Sequence, residues 1–486
     1  MVAKHERVGL QEMNGKRRKT KIVATLGPAS NSPDMIKQLA IAGVNVFRLN
    51  FSHGTKSEHA ARVEHIRTFA RNENICLGIL QDLGGPKIRL GQLPDDQIEL
   101  TTGSQVYMVP SQKAKSSQNV LPVDYPYLVE DVKEGDRILL ADGTMELLVE
   151  KIIDDAVVAK VLVGGVVRSH KGVNLPSSAL RIPAFTEKDR EDLEFGLSLG
   201  VDFVALSFIR HEDDLKPLRE MIQDVPDPPL IVGKIEKPQA VKRLDAILNA
   251  VDAVMVARGD LGVEMKLEDV PIIQKRIIRE AKRRAKPVII ATQMLLSMVN
   301  NPQPTRAETS DVANAIIDGA DAVMLSEETA IGQYPIEAVK MLDRVAITTE
   351  AVLEDFIQDS VGELVENSVE NAISRSAWEI ARELDASAIV ASTASGRTAR
   401  LVARFRPSMP VVAVTHREST FRQLSLSWGV VPAITRHFTS TDEMFQEARQ
   451  WVVEHSVATS GDRIVVTAGI PIGQMGTTNL IRVMEI

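Results

Sequence analysis

Short apolar runs recur along the first two-thirds of the chain, each parted from the next by a polar stretch with helical character. They cover residues 21–27 (KIVATLG), 44–50 (VNVFRLN), 76–83 (CLGILQDL), 203–208 (FVALSF), 230–236 (LIVGKIE), 253–260 (AVMVARGD), 287–294 (PVIIATQM) and 322–328 (AVMLSEE). Runs this short and this rich in Val and Ile are apolar on both faces, as strands of a parallel sheet must be when helices cover both sides. The segments between them carry helix boundaries. Ser32-Pro33 precedes one helix and Gly43 follows it; Thr186 precedes another and Gly200 follows it. Hydroxyl residues satisfy the free N–H groups of a first turn, and glycine takes the left-handed conformation that ends a helix. Eight strands alternating with helices predict a closed β/α barrel. An open doubly wound sheet is the alternative, but no glycine-rich dinucleotide fingerprint follows the first run.

The spacing is uneven at one place. About 120 residues separate the third run from the fourth, against about 20–35 from one run to the next elsewhere. Residues 87–182 show strand and turn signals instead, with Gly91, Gly103, Gly135, Asp142-Gly143 and Gly164-Gly165 between Val/Ile/Leu runs. They predict a small all-β domain inserted in a βα loop, placed to act as a lid at the face where the strands end. Past residue 350 the pattern restarts, with a helix over 367–384 and strands over 388–392, 411–414 and 463–467. The expected organisation is an arm (1–16), a barrel in two parts (17–86 and 183–352), the inserted β domain (87–182) and a C-terminal α/β domain (353–486).

Composition narrows this. The 486 residues are 44% hydrophobic but only 4% aromatic, so the cores must be aliphatic. The net charge of −8 argues against nucleic acid as a partner. The short basic run Lys16-Arg17-Arg18-Lys19 reads as a solvated arm. The single cysteine, Cys76, permits no disulfide within the chain and reads as a buried, inert thiol. No apolar run is long enough to span a membrane, and no apolar signal region stands at the start, so the expected location is the cytoplasm.

The candidate chemistry lies where the runs end. Thr25; Arg48, Asn50 and Ser52; Asp82; Ser207; Lys234 and Glu236; Arg258 and Asp260; Thr292; and Ser326 and Glu328 stand at successive exits. Residues i, i+2 and i+4 share one face of a strand, so Arg48, Asn50 and Ser52 point together, as do Lys234 and Glu236. Glu236 and Asp260 end consecutive strands, which neighbour at about 4.8 Å. Two carboxylates without a nearby His or Cys suit a hard cation, Mg²⁺ or Mn²⁺, completed by water and substrate. A salt bridge of Glu236 with Lys234 or Arg258 is the competing interpretation. Lys234 and Arg48 add a clamp for phosphate and carboxylate.

These residues lie in longer motifs that resemble pyruvate kinase: RLNFSHG at 48–54, VGKIE at 232–236, MVARGDLG at 255–262, ATQM at 291–294 and PTRAETSDVAN at 304–314. The resemblance is dense from about residue 20 to 350 and weaker to the end. It implies phosphoryl transfer from phosphoenolpyruvate to ADP, with Lys234 stabilising charge on the transferring group and the enolate. It also implies that Glu236 and Asp260 hold Mg²⁺ and that Arg48 grips the phosphate. The backbone of Gly259 and Asp260 would receive the carboxylate, with Thr292 near the carbon that is protonated. Arg89 and Lys171 from the lid, with His53 and Asn50, would serve the nucleotide. A homotetramer and a phosphorylated effector are further implications. Such transfer needs positioning and positive charge more than covalent help.

Departures from the family pattern are equally informative. Many members carry Asp-Thr-Lys-Gly-Pro-Glu where this chain has Asp82-Leu83-Gly84-Gly85-Pro86-Lys87. In those members the equivalents of Asn50, Ser52, Asp82 and the Leu83 carbonyl hold a potassium ion. Lys87 would place a tethered ammonium there instead, so K⁺ should not be required; a solvent-pointing Lys87 is the alternative. Ala141 stands where an acid often precedes Asp142, and Glu327 replaces a glycine, which leaves the roles of Ser326 and Glu328 open.

In the last domain, Thr393, Ser395, Gly396, Arg397 and Thr398 lie between a strand and a helix expected to begin near Ala399, and they resemble the family's effector-phosphate loop. Residues 473–479 resemble a second loop of that site, and a plain helix cap is the alternative. Two rivals differ in chemistry. A phosphoenolpyruvate mutase or oxo-acid aldolase shares the metal carboxylates but not the inserted β domain. A non-catalytic phosphometabolite binder would be expected to have lost Lys234 or a metal carboxylate.

Overall fold

The structure, a computed structural model, describes residues 12–13, 16–114, 119–176, 178, 180–353, 368–471 and 477–486, with side chains from Arg18 onward. Most of the 473–479 loop therefore lies outside the described residues. The eight expected runs form a closed parallel barrel: β1 Lys21–Leu26, β2 Val46–Asn50, β3 Gly78–Asp82, β4 Phe203–Leu206, β5 Leu230–Ile235, β6 Ala253–Ala257, β7 Val288–Ala291 and β8 Ala322–Leu325. Each strand pairs with its sequence neighbours, and β8 closes on β1. Helices α1 (Pro33–Ala42), α2 (Lys56–Glu73) and α3 (Glu187–Ser198) start on the side chains of Ser32, Thr55 and Thr186, which accept from backbone N–H groups of the first turn.

Strand alternation builds the barrel interior in layers. Val23, Val46, Leu80, Phe203, Ala205, Val232, Met255, Ile289 and Met324 fill it, while Ile22, Phe47, Leu49, Val204, Ile231 and Val254 face the helices. On β2 the inward positions run Val46, Arg48, Asn50; on β5 they run Val232, Lys234, then Glu236. Each inward face thus begins apolar and ends polar, so the charged residues collect at the C-terminal mouth.

The opposite end is sealed by the C-terminal domain, a five-stranded sheet ordered β11-β10-β9-β12-β13. Its strands are β9 Ala388–Ser392, β10 Val411–Thr415, β11 Val430–Ile434, β12 Arg463–Gly469 and β13 Thr478–Glu485. Leu426 packs into the floor of the barrel. Arg422 pairs with Asp202 at 2.7 Å, and Arg406 pairs with Asp321 at 3.0 Å. These acids also accept strand N–H groups, from Ile79 and Val288, so each helps to tie the barrel floor together.

The basic arm is not solvated at its end. Arg18 pairs with Asp343 at 2.6 Å and donates to Asn45 and to the Gly43 carbonyl; both partners of the ion pair are nearly fully buried. Lys19 donates to Pro407 and lies 5.3 Å from the Trp428 ring centroid. Arg18 and Lys19 thus join two domains, and Asp343 neutralises the Arg18 charge. Cys76 is half-buried; burial, with Asp202 nearby, pushes its thiol up to about 12, so it stays protonated.

Between β3 and β4 stands the inserted domain, a six-stranded sheet with a two-stranded ribbon, Gln97–Leu100 against Gly165–Arg168. It has its own core, including Leu90, Met108, Tyr125, Ile138 and Leu147. No described helix is long and apolar enough to cross a membrane.

Candidate active site

Lys234 is the hub of the mouth. Its side chain is buried; Nζ donates to Ser207 Oγ at 2.8 Å and lies 2.9 Å from Glu236 Oε1 and 3.3 Å from Asp82 Oδ1. Burial works against its charge, but Asp82 and Glu236 outweigh that and hold the ammonium above the ordinary lysine range. Asp82 has a second cation: Arg48 Nε is 2.6 Å from its other oxygen, and Arg48 also donates to Thr25 Oγ1 at 3.0 Å. Burial opposes the Asp82 charge too, yet Lys234 and Arg48 overcome it and lower its pKa. At Glu236 burial dominates and pushes the carboxyl upward, with Asp260 adding to that and Lys234 opposing it.

The carboxylate pair differs from expectation in one respect. Glu236 follows β5 directly, but Asp260 is not on a strand: β6 stops at Ala257, and Asp260 lies in the first turn of α4, Arg258–Glu264. The chain turns into a helix as soon as it leaves the barrel wall. Asp260 nonetheless remains within electrostatic reach of Lys234, Glu236 and Lys87. The Lys234–Glu236 ion pair weighed in the sequence is present, whereas Arg258 pairs with Asp311 at 2.7 Å instead.

Three residues at the mouth hold left-handed backbone without being glycine: Phe208 (φ 57°), Thr292 (φ 71°) and Gln293 (φ 56°). For a β-branched or bulky residue this costs free energy and clusters at functional sites. The result at Phe208 is that its N–H donates to Glu236 Oε2 at 2.8 Å. At Thr292, Oγ1 accepts from Gly259 N at 2.6 Å, which brings α4 against β7. Nothing in the sequence flags Phe208; its conformation depends on contacts made only after folding.

The residues expected around a monovalent cation are already engaged in part. Asn50 Oδ1 accepts from Ser52 N at 3.1 Å, the Leu83 carbonyl accepts from Ser207 Oγ at 2.7 Å, and Asp82 holds its two cations. Lys87 is exposed, within electrostatic reach of the mouth. Partial desolvation and the nearby Lys234 and Arg89 hold its ammonium below the usual lysine range, against the pull of Asp260 and Glu236. His53 joins the same group: desolvation first, then Lys87, Arg89 and Arg48, lower its pKa. From the inserted domain, Arg89 donates to the His170 carbonyl at 2.9 Å, and Lys171 is exposed.

A divalent cation fits this donor set. Among the described residues no group of three or more His, Cys, Asp or Glu converges, so a closed all-protein cage is absent there. Mg²⁺ characteristically takes one or two carboxylates and completes its shell with water and phosphate oxygens. Glu236 Oε1 is buried and, although ion-paired with Lys234, makes no well-directed hydrogen bond; it retains a lone pair for a ligand.

Glu327 is exposed and opens a single helical turn, so a non-glycine residue is accommodated there, and its charge faces the turn's N-terminus. Glu328 is buried and accepts from Leu295 N and Ser326 N, a structural role. Ala141 takes φ 48° in the turn before Asp142.

In the C-terminal domain, the helix Arg397–Ala403 begins at Arg397 rather than near Ala399, behind Gly396 at φ 78°. Thr393 is buried, Thr398 Oγ1 meets Thr478 Oγ1 at 2.8 Å, and Ser395 O accepts from Arg400. Arg397 is paired with Glu370 at 2.8 Å. A cavity of about 1440 Å³ lies elsewhere, between the barrel floor and this domain, lined in part by Arg18, Lys21, Cys76 and Trp428. It does not touch the mouth.

Comparison with known proteins agrees with this geometry. Residues 17–339 match the family described as pyruvate kinase, barrel domain, and residues 371–484 match pyruvate kinase, alpha/beta domain. The chain is 45% identical over 475 residues to a pyruvate kinase of Sporosarcina psychrophila, covering 96% of this chain and 80% of that one. It is 47% identical to pyruvate kinase 2 of Synechocystis sp., with 96% and 79% covered, and 44% identical to a pyruvate kinase of Agrobacterium vitis, with 96% and 97% covered. A crystal structure of a pyruvate kinase from Cryptosporidium parvum superposes with a TM-score of 0.91 at 34% identity, over 96% of each chain.

Proposed function

The chain belongs to the pyruvate kinase family, and from that membership we propose how its barrel mouth serves as a phosphotransferase between phosphoenolpyruvate and ADP. The observation that carries the reading is Lys234: a buried cation, fixed by Ser207, Asp82 and Glu236, at the point where Arg48, Asp260 and Thr292 also converge. A cation fixed in advance stabilises developing charge without reorganising. Lys234 and Arg48 would bind the phosphoryl oxygens, and Asp82 sets the separation of the two. Glu236 and Asp260 would hold Mg²⁺, which when bound adds positive charge beside the phosphoryl oxygens. The substrate carboxylate would take the Gly259 N–H that Thr292 Oγ1 occupies here, releasing the Thr292 hydroxyl toward the carbon that receives a proton. Arg89, Lys171, His53 and Asn50 would contact the nucleotide from the cleft side.

Lys87 is the specific feature of this chain. Its ammonium, close to Lys234, Asp260 and Glu236, supplies the charge that K⁺ provides in relatives carrying Glu there. Turnover should persist in a buffer free of K⁺ and Na⁺, while Lys87→Glu should depend on added K⁺. Loss of most wild-type turnover without K⁺ would refute this.

The loop of Thr393, Ser395, Gly396, Arg397 and Thr398 would receive a sugar phosphate, with Arg397 exchanging Glu370 for the phosphate. Thr393→Ala with Ser395→Ala should abolish activation by a panel of sugar phosphates; a response equal to wild type removes the assignment. The expected working form is a cytoplasmic homotetramer, which sedimentation velocity of the purified protein can check.

A further inference from the structure

Beyond the mouth, one buried polar cluster has no part in the chemistry described so far. Glu264 ends α4, one turn after Asp260, so the two project from the same helix face. Lys237 follows Glu236 in the chain. Lys237 Nζ and Glu264 Oε1 are 2.6 Å apart, with side chains 8% and 1% exposed. Asn174, from the inserted domain, donates its Nδ2 to the same oxygen at 2.9 Å. Lys237 Nζ also lies 5.4 Å from the ring centroid of Phe208, the strained residue whose N–H holds Glu236 Oε2. The other Glu264 oxygen is buried without a hydrogen-bond partner.

A stability role alone explains this poorly. Two donors share one oxygen while its twin is left unsatisfied, and burying an ion pair in that form gains little over apolar packing. The connectivity suggests another purpose. The cluster links the segment after β5, which carries Glu236, to the helix that carries Asp260, and the inserted domain contacts it through Asn174. We propose that Glu264 is a positioning residue which, held by Lys237 and Asn174, sets the separation of Glu236 and Asp260 and makes it sensitive to the seating of the inserted domain. The idea rests on the assignment of Glu236 and Asp260 as metal carboxylates.

The test is a Mn²⁺ titration of the whole protein without substrates, followed by the free-ion paramagnetic resonance signal. Outer residues that orient metal ligands typically change affinity about 10–100-fold, and Glu264→Gln should weaken Mn²⁺ within that range. Asn174→Ala should weaken it in the same direction by less, with a melting temperature close to wild type, whereas Glu264→Gln, which leaves the buried Lys237 ammonium without its counter-charge, should melt lower. Asp260→Asn is the control for the assignment itself. Wild-type affinity in Asp260→Asn removes the metal assignment. Weakened binding in Asp260→Asn with wild-type affinity in either Glu264→Gln or Asn174→Ala overturns the positioning role. If Glu264→Gln does not fold, Asn174→Ala decides, because it removes only a half-buried amide from a different domain.

Discussion

Lys282→Met should stabilise the junction between barrel and C-terminal domain, and should do so in a pH-dependent way. Lys282 lies in the last turn of α5, Val270–Arg283, with its side chain near Gly319, whose carbonyl accepts from Arg406. Burial first and then Arg406 lower its pKa to about 7, with Asp321 only partly opposing them. In the unfolded chain the amine returns to its ordinary value of 10.5. Between pH 7 and 10.5 the unfolded chain therefore binds the extra proton, and stability rises with pH across that window. Below about pH 7 both states are protonated and the penalty is fully present. At about 1.4 kcal/mol per pKa unit the shift corresponds to an upper bound of about 5 kcal/mol. Because Lys282 retains some exposure, about 2 kcal/mol is the working figure, enough to move the thermal midpoint of a chain this long by about 2 °C. Methionine keeps the apolar stem and removes the charge. Thermal melts of wild type and variant at pH 6, 7, 8, 9 and 10 should show the variant about 2 °C above wild type at pH 6 and the two converging toward pH 10. Lys21 and Lys286, both lowered to about 8, contribute to the slope of both proteins and cancel in the difference. Parallel curves, or a difference that grows with pH, would refute the reasoning.

Other consequences concern packing and backbone. Ala141→Gly should raise stability by about 1 kcal/mol, since an L-residue in left-handed backbone costs about 1–2 kcal/mol and glycine avoids that; a lower denaturation midpoint would contradict it. Gly78→Ala should destabilise by about 1–3 kcal/mol, because a Cβ there runs into Ser425 Oγ and meets the Phe203 ring at 3.0 Å. Adding Ser425→Ala, which removes a buried hydroxyl with no partner, should restore part of the loss; a double mutant no better than the single would show that the clash lies elsewhere.

The barrel and the composition of its mouth were legible in the sequence because both follow from short-range rules. Strand alternation is fixed by covalent geometry, so Arg48 with Asn50, and Lys234 with Glu236, had to share a face once their runs were strands. Hydroxyl caps such as Ser32 and Thr186 act within three residues and were equally visible. Strand ends were less so. The apolar run through Ala257 gave no sign that Asp260 would lie on a helix, and Pro432 disguised β11, an edge strand where the missing N–H is tolerated. The remaining features needed closure of the barrel and docking of its neighbours. Asp82 bridges Arg48 and Lys234 only because β2, β3 and β5 curve around one axis. Phe208 adopts its strained backbone where Gly85 leaves room for the ring and Glu236 accepts its N–H. Arg18, read as a solvated charge, is buried because Asp343 and Asn45 reach it from distant elements. Sequence alone thus determined which residues face the mouth, since that depends on period and local capping. Tertiary structure decided which of them touch, which are charged and which are strained, since those depend on groups brought together across the whole chain.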